Sequence, residues 1–173
     1  STITLPEGLI EIDEQVFMGC ESLVSIELPK SLKKVGAYAF AGTALTKFII
    51  PNGVKFGKGV LSDCYNLSKV DVPYGLTHIS AEMFEGCHSL TNIQLTTTIT
   101  SIGANAFRWS GLVSITIPYS TTIIGDSAFQ ECRNLKRLTF GSTLSGNNNL
   151  KTIGKGAFWG CPIEGNVVLP SKV

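Results

Sequence analysis

The feature that most constrains this chain is a motif that returns along its whole length. FMGCESLVSIELP begins at Phe17, and related strings begin at Phe40, Phe84 and Phe129. The aromatic or leucine position of the motif recurs at spacings of 23, 21, 23, 23, 22 and 29 residues. This phenylalanine column contains Phe17, Phe40, Leu61, Phe84, Phe107, Phe129 and Phe158. Such a period predicts a solenoid, in which each repeat buries its apolar edge against its neighbours.

Two further columns keep the same register. An apolar residue lies five positions before the phenylalanine column, and a glycine follows it in five of the seven repeats. The apolar residues are Ile12, Val35, Phe56, Ile79, Ile102, Ile124 and Ile153. A small residue lies three positions after the phenylalanine column, and this small-residue column contains Cys20, Thr43, Cys64, Cys87, Ser110, Cys132 and Cys161. We therefore predict one domain of about seven repeats over residues 1–173.

Each repeat also shows the alternation of a half-buried strand. In Ser114-Ile115-Thr116-Ile117-Pro118, apolar residues alternate with polar ones, and the proline, which cannot donate to a sheet, ends the strand. The segment around the phenylalanine column, such as GAYAFAG or GANAFRW, is long enough for one or two short helical or 3-10 turns. We predict an α/β solenoid with a right-handed superhelix. It has one parallel strand per repeat and short helical or 3-10 turns on the opposite face.

The consensus I-G-x-x-A-F-x-x-C-x-x-L-x-x-I-x-I-P carries a family resemblance. SIGANAFRWSGLVSITIP (residues 101–118) and IIGDSAFQECRNLKRLTF (residues 123–140) are close to it. The consensus resembles the BspA-type leucine-rich repeats of bacterial and protozoan surface proteins, over essentially the whole chain. The resemblance implies an extracellular or cell-surface protein that adheres to host matrix proteins or to other cells, without catalytic residues. The third repeat, FGKGVLSDC, and the seventh, with extra residues at 141–149, depart most from the consensus.

The five cysteines favour a packing role. All of them occupy the small-residue column, in which Thr43 and Ser110 replace cysteine in the other two repeats. A buried side chain selected for its volume gives this pattern. A zinc site would need close cysteine pairs, and the sequence has none. A disulfide between Cys64 and Cys87 stays open as the alternative.

The remaining chemical motifs give no enzyme and no cofactor. His78 and His88 both fall in columns whose other members are mostly polar, so we predict that both face solvent. GKGAFWG (residues 154–160) misses a dinucleotide-binding glycine pattern by one residue, and we predict that it forms the repeat's own turn plus helix. Asn66-Leu67-Ser68 is a formal N-glycosylation sequon, which only a eukaryotic secretory host would use.

Charge and hydropathy exclude two classes of partner. The net charge of +1 predicts no attraction to nucleic acid. No apolar run reaches the roughly 18 residues of a membrane-spanning helix, so we expect no membrane insertion by this segment. Locally, residues 1–27 contain six acidic side chains, and residues 28–70 contain seven lysines and only Asp63 as an acid. Such blocks form either a solvated surface or a surface that steers an acidic partner.

The polar positions of the predicted strands form a possible binding surface. Side chains that alternate with the inward apolar residues project from the concave face of the sheet. Eight strands about 4.8 Å apart span roughly 35 Å, which fits a protein or a glycan better than a small molecule. We call the candidate ligand-binding residues on this face the ladder: Ser25, Glu27, Lys47, Ile49, Lys69, Asp71, Asn92, Gln94, Ser114, Thr116, Arg137 and Thr139.

Two functions follow as hypotheses. The first is a recognition or adhesion module whose ladder binds a host extracellular-matrix protein, a cell-surface protein or a glycan. The second is a structural spacer in a larger surface protein. Strand-like segments, residues 3–6 and residues 167–170, lie at the two ends without polar caps. We therefore expect a segment of a longer protein, monomeric, whose terminal strands can also pair edge to edge.

Overall fold

The computed structural model describes residues 1–143 and 148–169. Its strands pair in parallel between successive repeats, which confirms the parallel solenoid. The described residues contain no helix, and most repeats carry strands on two sides. On the first side lie β1 (Thr2–Thr4), β3 (Ser25–Glu27), β5 (Lys47–Ile49), β7 (Lys69–Asp71), β10 (Ser114–Ile117) and β12 (Arg137–Phe140). On the second side lie β2 (Glu11–Ile12), β4 (Lys34–Val35), β6 (Lys55–Phe56), β8 (His78–Ile79), β9 (Ser101–Ile102), β11 (Ile123–Ile124) and β13 (Thr152–Ile153).

The first side does not form the single continuous sheet that the sequence predicts. It consists of three two-stranded pieces, β1–β3, β5–β7 and β10–β12, and residues 92–94 form no strand. β5 and β10 each follow a break in the pairing. In both repeats the segment between the small-residue column, here Thr43 or Ser110, and the strand is one residue shorter than in the other repeats. Backbone hydrogen bonds still connect successive repeats across the gaps, from Thr46 to Val24 (3.2 Å), from Ser89 to Tyr65 (3.2 Å) and from Val113 to Thr91 (3.0 Å).

The second side was not predicted, so the expectation of one strand per repeat is wrong. Two-residue strands form the sheets β2–β4–β6 and β8–β9–β11–β13. In the five repeats that have a glycine after this strand, a Cβ atom would clash with the backbone of the preceding repeat. A Cβ atom on Gly125 would lie 2.6 Å from the amide nitrogen of Ala104 in the preceding repeat. Ser80 replaces the glycine in the fourth repeat, and its hydroxyl donates to the Gly57 carbonyl at 2.9 Å.

Left-handed turns take the place of the predicted helical or 3-10 turns. In every repeat, the residues two before and two after the phenylalanine column have positive φ, for example Asn105 at 55° and Trp109 at 58°. A right-handed helix cannot continue through such residues, so the prediction of helical or 3-10 turns is wrong. We call these five-residue segments, centred on the phenylalanine column, the turn edge.

Backbone hydrogen bonds connect the turn edge of each repeat to that of the next. Phe107 donates to Ala128 at 2.7 Å, and Asn105 and Trp109 donate to the same neighbouring repeat at 2.9 Å each. The same three bonds recur at all six junctions between successive repeats. The turn edge therefore satisfies its own backbone donors by stacking repeats, as a sheet does by pairing strands.

The phenylalanine column forms the centre of the core. Phe84, Phe107, Phe129 and Phe158 stack in sequence with ring centroids 5.1–5.3 Å apart, and Phe17 stacks on Phe40 at 5.4 Å. In the third repeat the column has Leu61 in place of a ring, and this side chain is itself fully buried.

Two sequence predictions concern the C-terminal region. The sequence predicts a strand over residues 167–170. Residues 167–169 form no strand, so the prediction is wrong for them, and Pro170 lies outside the described residues. A strand needs a row of backbone bonds; Glu164, just before this segment, donates to the Lys136 carbonyl at 2.9 Å, and residues 167–169 pair with no strand among the described residues. In the excursion at 141–149, Asn148 donates to the Gly141 carbonyl at 2.6 Å and closes its base, while residues 144–147 lie outside the described residues.

Candidate recognition surfaces

The ladder lies on one face of the solenoid, and its side chains are exposed or half-buried. Parallel pairing places Ser25 and Glu27 of β3 beside β1. It places Lys47 beside Lys69 and Ile49 beside Asp71, and it places Ser114 and Thr116 of β10 beside Arg137 and Thr139 of β12. Asn92 and Gln94 are exposed but belong to no strand. The ladder residues therefore all project outward from one face, in separate groups with gaps between them.

Ion pairing reduces the positive charge that the ladder can offer. Lys47 Nζ lies 3.2 Å from Asp71 Oδ2 on the neighbouring strand, and beside the ladder Lys136 Nζ lies 2.9 Å from Glu164 Oε1. No ion pair of Lys69 or Arg137 is found among residues 1–143 and 148–169. These two side chains are the ladder's available cations.

The shape of the ladder is shallow. Where residues 92–95 run beside β10, a polar depression of about 370 Å³ opens between Gln94 and Thr116. Ile49 is 59% exposed and is the apolar side chain of the ladder. A surface of this shape offers many weak contacts to a large partner and encloses no small molecule.

The acidic and basic blocks of the sequence meet on the second side of the solenoid. Pairing of β2 with β4 sets Glu11 opposite Lys34, and their charged atoms lie 2.6 Å apart. The hydrogen bond and the charge of Glu11 raise the pKa of Lys34. Further along, Lys58 pairs with Glu82 at 3.0 Å. At these two positions, basic side chains of the second block are matched by acids within the protein.

A pair of stacked rings lies on a different surface. Each repeat has a residue directly after its small-residue column, and we call this column the rim: Glu21, Ala44, Tyr65, His88, Gly111, Arg133 and Pro162. The rings of Tyr65 and His88 stack with centroids 5.2 Å apart and planes 15° apart. The negative charge of Asp63 raises the pKa of the Tyr65 hydroxyl. His88 is exposed, as predicted, but the sequence reasoning missed its contact with Tyr65.

A tryptophan lies beside the rim. Trp109 occupies a left-handed position of the turn edge and is 42% exposed. The guanidinium of Arg108 covers one face of its ring, with the central carbon 3.8 Å from the ring centroid. In the next repeat, Arg133 Nε donates to Glu131 Oε2 at 2.7 Å. Aromatic and paired charged groups thus lie together along several consecutive repeats.

The cysteines of the small-residue column directly follow the turn edge in each repeat that carries one. Cys64, Cys87 and Cys132 are buried, which confirms the packing role for these three, while Cys20 and Cys161 are half-buried. Cys87 donates to the Leu61 carbonyl at 3.2 Å, and Cys132 to the Phe107 carbonyl at 3.0 Å. Burial raises the pKa of Cys64 and of Cys87, and both are free thiols.

The glycosylation sequon and His78 both lie at the surface. Asn66 of the sequon is exposed in a turn before β7, and Ser68 donates to the Thr46 carbonyl at 3.2 Å. His78 is exposed on β8, as predicted. Among residues 1–143 and 148–169, no group of three histidine, cysteine or acidic side chains could hold a metal ion. The same residues contain no helix long and apolar enough to cross a membrane.

These observations define a parallel β-solenoid whose repeats are joined at a turn edge and carry variable side chains on their other faces. Six copies of the BspA type leucine rich repeat region match the chain, over residues 1–112 and 55–173. The chain belongs to this family.

Solved structures of bacterial proteins share the fold. A leucine-rich repeat protein from Bacteroides ovatus is 29% identical, with a TM-score of 0.78, and the match covers 99% of this chain and 49% of that one. The leucine-rich repeat protein of T. pallidum is also 29% identical, with a TM-score of 0.80, over 93% of this chain and 76% of that one. The chain thus spans about half the length of the Bacteroides protein.

A more distant structure shares the fold alone. A leucine rich cell surface protein from Faecalibacterium prausnitzii is 22% identical, with a TM-score of 0.62, over 99% of this chain and 70% of that one. No curated protein sequence matches the chain.

Proposed function

We propose that this chain is a non-catalytic recognition module of an extracellular or cell-surface protein, and that its ladder binds a protein or a glycan. The observation that carries the proposal is the row of outward side chains on β3, β5, β7, β10 and β12, mounted on a backbone that stacks in fixed register. A rigid surface of this kind binds without the entropy cost of ordering a loop. The resemblance of the repeats to the BspA-type repeats of surface proteins supports the location.

The available cations of the ladder favour an anionic patch on the partner. Lys69 and Arg137 carry long side chains on β7 and β12 and can reach carboxylates or sulfates. Each exposed charge contributes modestly to affinity, whereas several together raise the association rate and make binding sensitive to salt. Because Lys47 is paired with Asp71, Lys69 carries more of the expected effect than Lys47.

A second candidate function is a structural spacer, and one observation favours it. The ladder's depression between residues 92–95 and β10 is shallow and open, and the most regular feature of the chain is its buried phenylalanine column. Under this hypothesis the ladder contacts nothing and the array only holds other parts of a longer protein apart.

Binding to immobilised matrix glycoproteins and heparin separates the two functions. Replacing Lys47 and Lys69 together by glutamate is expected to weaken binding to the retained probe at least tenfold, about 1.4 kcal/mol, with an unchanged melting temperature. The matched control replaces Lys30 and Lys33 by glutamate. These are exposed lysines on the loop after β3. Lys34, next to them, is unsuitable because it pairs with Glu11.

Two results would contradict the ladder as the binding surface. If the loop variant loses binding and the ladder variant keeps it, recognition belongs to the loops. If neither matrix glycoproteins nor heparin retain the wild-type chain, the spacer function is favoured.

A further inference from the structure

The rim shows an unusual order of side-chain sizes. Two stacked rings, Tyr65 and His88, stand between Ala44 in the repeat before and Gly111 in the repeat after. A large side chain at either flanking position would cover an outer ring face, and neither flanking residue is large. The column places Tyr65 opposite Ala44 and His88 opposite Gly111, so each ring has one outer face bordered by a small residue.

A depression adjoins each of these outer faces. On the Tyr65 side, a depression of about 360 Å³ is lined by the ring together with Gly42, Ala44, Asp63 and Asn66. On the His88 side, a depression of about 320 Å³ is lined by the ring, Trp109, Gly111, Glu131, Arg133 and Asn134. Both lie near the lower limit of ligand-sized volumes, about 300–1,000 Å³, which leaves room for one small ring in each.

The polar groups beside the rings suit hydroxyl-bearing ligands. Asp63 and Glu131 offer carboxylate oxygens that accept hydrogen bonds, and Asn66 and Asn134 offer amides that both donate and accept. A sugar ring has an apolar face of C–H groups, which packs on an aromatic ring, and hydroxyls at its edge, which need such partners. One ring face and one set of polar groups occur in each depression.

The charge of the surface favours a neutral ligand. Arg133 is paired with Glu131 at 2.7 Å, and Arg108 lies 3.6 Å from Glu85. Asp63 and Glu21 add negative charge to the depression beside Tyr65. A sulfated or carboxylated sugar would meet these acids without an unpaired cation to hold it, so repulsion disfavours an anionic glycan here.

We propose that the rim is a glycan-binding site, in which a neutral polysaccharide chain crosses the Tyr65–His88 stack and packs one sugar on each outer ring face. The site lies on a different surface from the ladder and does not depend on it. A proline-rich peptide, which also docks on aromatic grooves, is the competing occupant that the experiment must separate.

Affinity electrophoresis in native gels that contain neutral β-glucan, mannan or galactan tests the proposal. The wild-type chain is expected to be retarded by at least one of these polysaccharides, and Tyr65→Ala and His88→Ala are each expected to weaken the retardation at least tenfold. Tyr74→Ala is the matched control, since Tyr74 is 75% exposed and lies away from the rim. Its retardation should equal that of the wild type.

The failures of the two sites are distinguishable. The variant with Lys47 and Lys69 replaced by glutamate should keep its retardation, because these lysines lie on the ladder. The glycan site is overturned if no neutral polysaccharide retards the wild-type chain, if Tyr74→Ala loses as much as Tyr65→Ala, or if a proline-rich peptide binds in a Tyr65-dependent way and no polysaccharide does. Fluorescence quenching of Trp109 by the retarding polysaccharide, lost in Trp109→Phe, is the independent readout.

Discussion

The turn edge and the ladder face are built from the same repeats but differ in regularity. At the turn edge, three backbone bonds join every pair of successive repeats, including the junction at which Leu61 interrupts the phenylalanine stack. On the ladder face, strand pairing breaks into three pieces. The difference teaches that a backbone requirement shared by every repeat holds the solenoid together at one edge, while the opposite face tolerates variation in length and side chain.

The physical reason lies in what each edge must satisfy. The turn edge contains two left-handed residues per repeat, and the N–H groups of these residues and of the phenylalanine column donate to the next repeat. Losing that register would leave buried donors unpaired, which is costly. The ladder face borders water, so an unpaired backbone group there is solvated. Central stability and surface variability therefore reside on different sides of one repeat.

The largest expected effect comes from truncating a central ring of the turn edge. Phe107 is fully buried between Phe84 and Phe129, so Phe107→Ala should cost about 3–5 kcal/mol of unfolding free energy. Phe158 is half-buried and stacks on Phe129, so Phe158→Ala should cost less. Denaturant titration measures both. Equal and small losses would contradict the stacked turn edge.

A smaller effect is expected where the backbones of two repeats come close. Gly125→Ala places a methyl group 2.6 Å from the Ala104 amide nitrogen, and the strain should cost about 1–3 kcal/mol. Ser80→Ala, at the same position of another repeat, removes only the hydroxyl bond to Gly57 and should cost about 0.5–1.5 kcal/mol. A larger loss for Ser80→Ala in the same titration would argue against close approach.

Thiol reactivity compares the cysteines of the central repeats with the cysteine of the last repeat. The buried Cys64 and Cys87, whose pKa values burial raises, should resist a thiol reagent in the native protein. Interaction with the neighbouring Cys161 thiol, together with burial, raises the pKa of Cys132, and interaction with Cys132 lowers the pKa of the half-buried Cys161. Cys161 should therefore react before Cys132 as pH rises. Five thiols should react after unfolding without reductant, and a count of three would reveal a disulfide.

The smallest effect is expected on the ladder. Thr116 is exposed on β10, so Thr116→Ala should change the unfolding free energy by no more than about 0.5 kcal/mol. Breaking the exposed pair of Lys47 and Asp71 with Lys47→Ala should cost about 0–1 kcal/mol. If thermal denaturation showed ladder variants to be as damaging as Phe107→Ala, the two faces would not differ as described.

The solenoid and its core could be predicted because the period of the sequence reports burial directly. In the phenylalanine column, the small-residue column and the inward strand positions, each repeat has a side chain of similar volume. The ladder residues could be predicted because they alternate with the inward strand residues. The second side escaped prediction because its strands are only two residues long, too short to show a period of two. Single positions such as Ile12 and Val35 then look like isolated core residues.

The turns and the surface contacts could not be predicted for a different reason. Gln15, Tyr38 and Glu82 adopt positive φ although none is a residue type that favours it, so the register of the stack overrides local preference. The Lys47–Asp71 pair and the Tyr65–His88 stack join residues 24 and 23 positions apart in sequence. Aligning the repeats as stacked rows would have placed Tyr65 beside His88, and this was the available signal.

Native-state hydrogen exchange, resolved by residue, tests the central claim most directly, because it compares the two faces within one molecule. Turn-edge amides, including that of Leu61, which donates to Met83 at 3.2 Å, should exchange only through the largest openings of the chain. Amides of β10 and of residues 92–94 on the ladder face should exchange faster. Slower exchange on the ladder face than at Leu61 and Phe107 would contradict the claim that the turn edge holds the solenoid together.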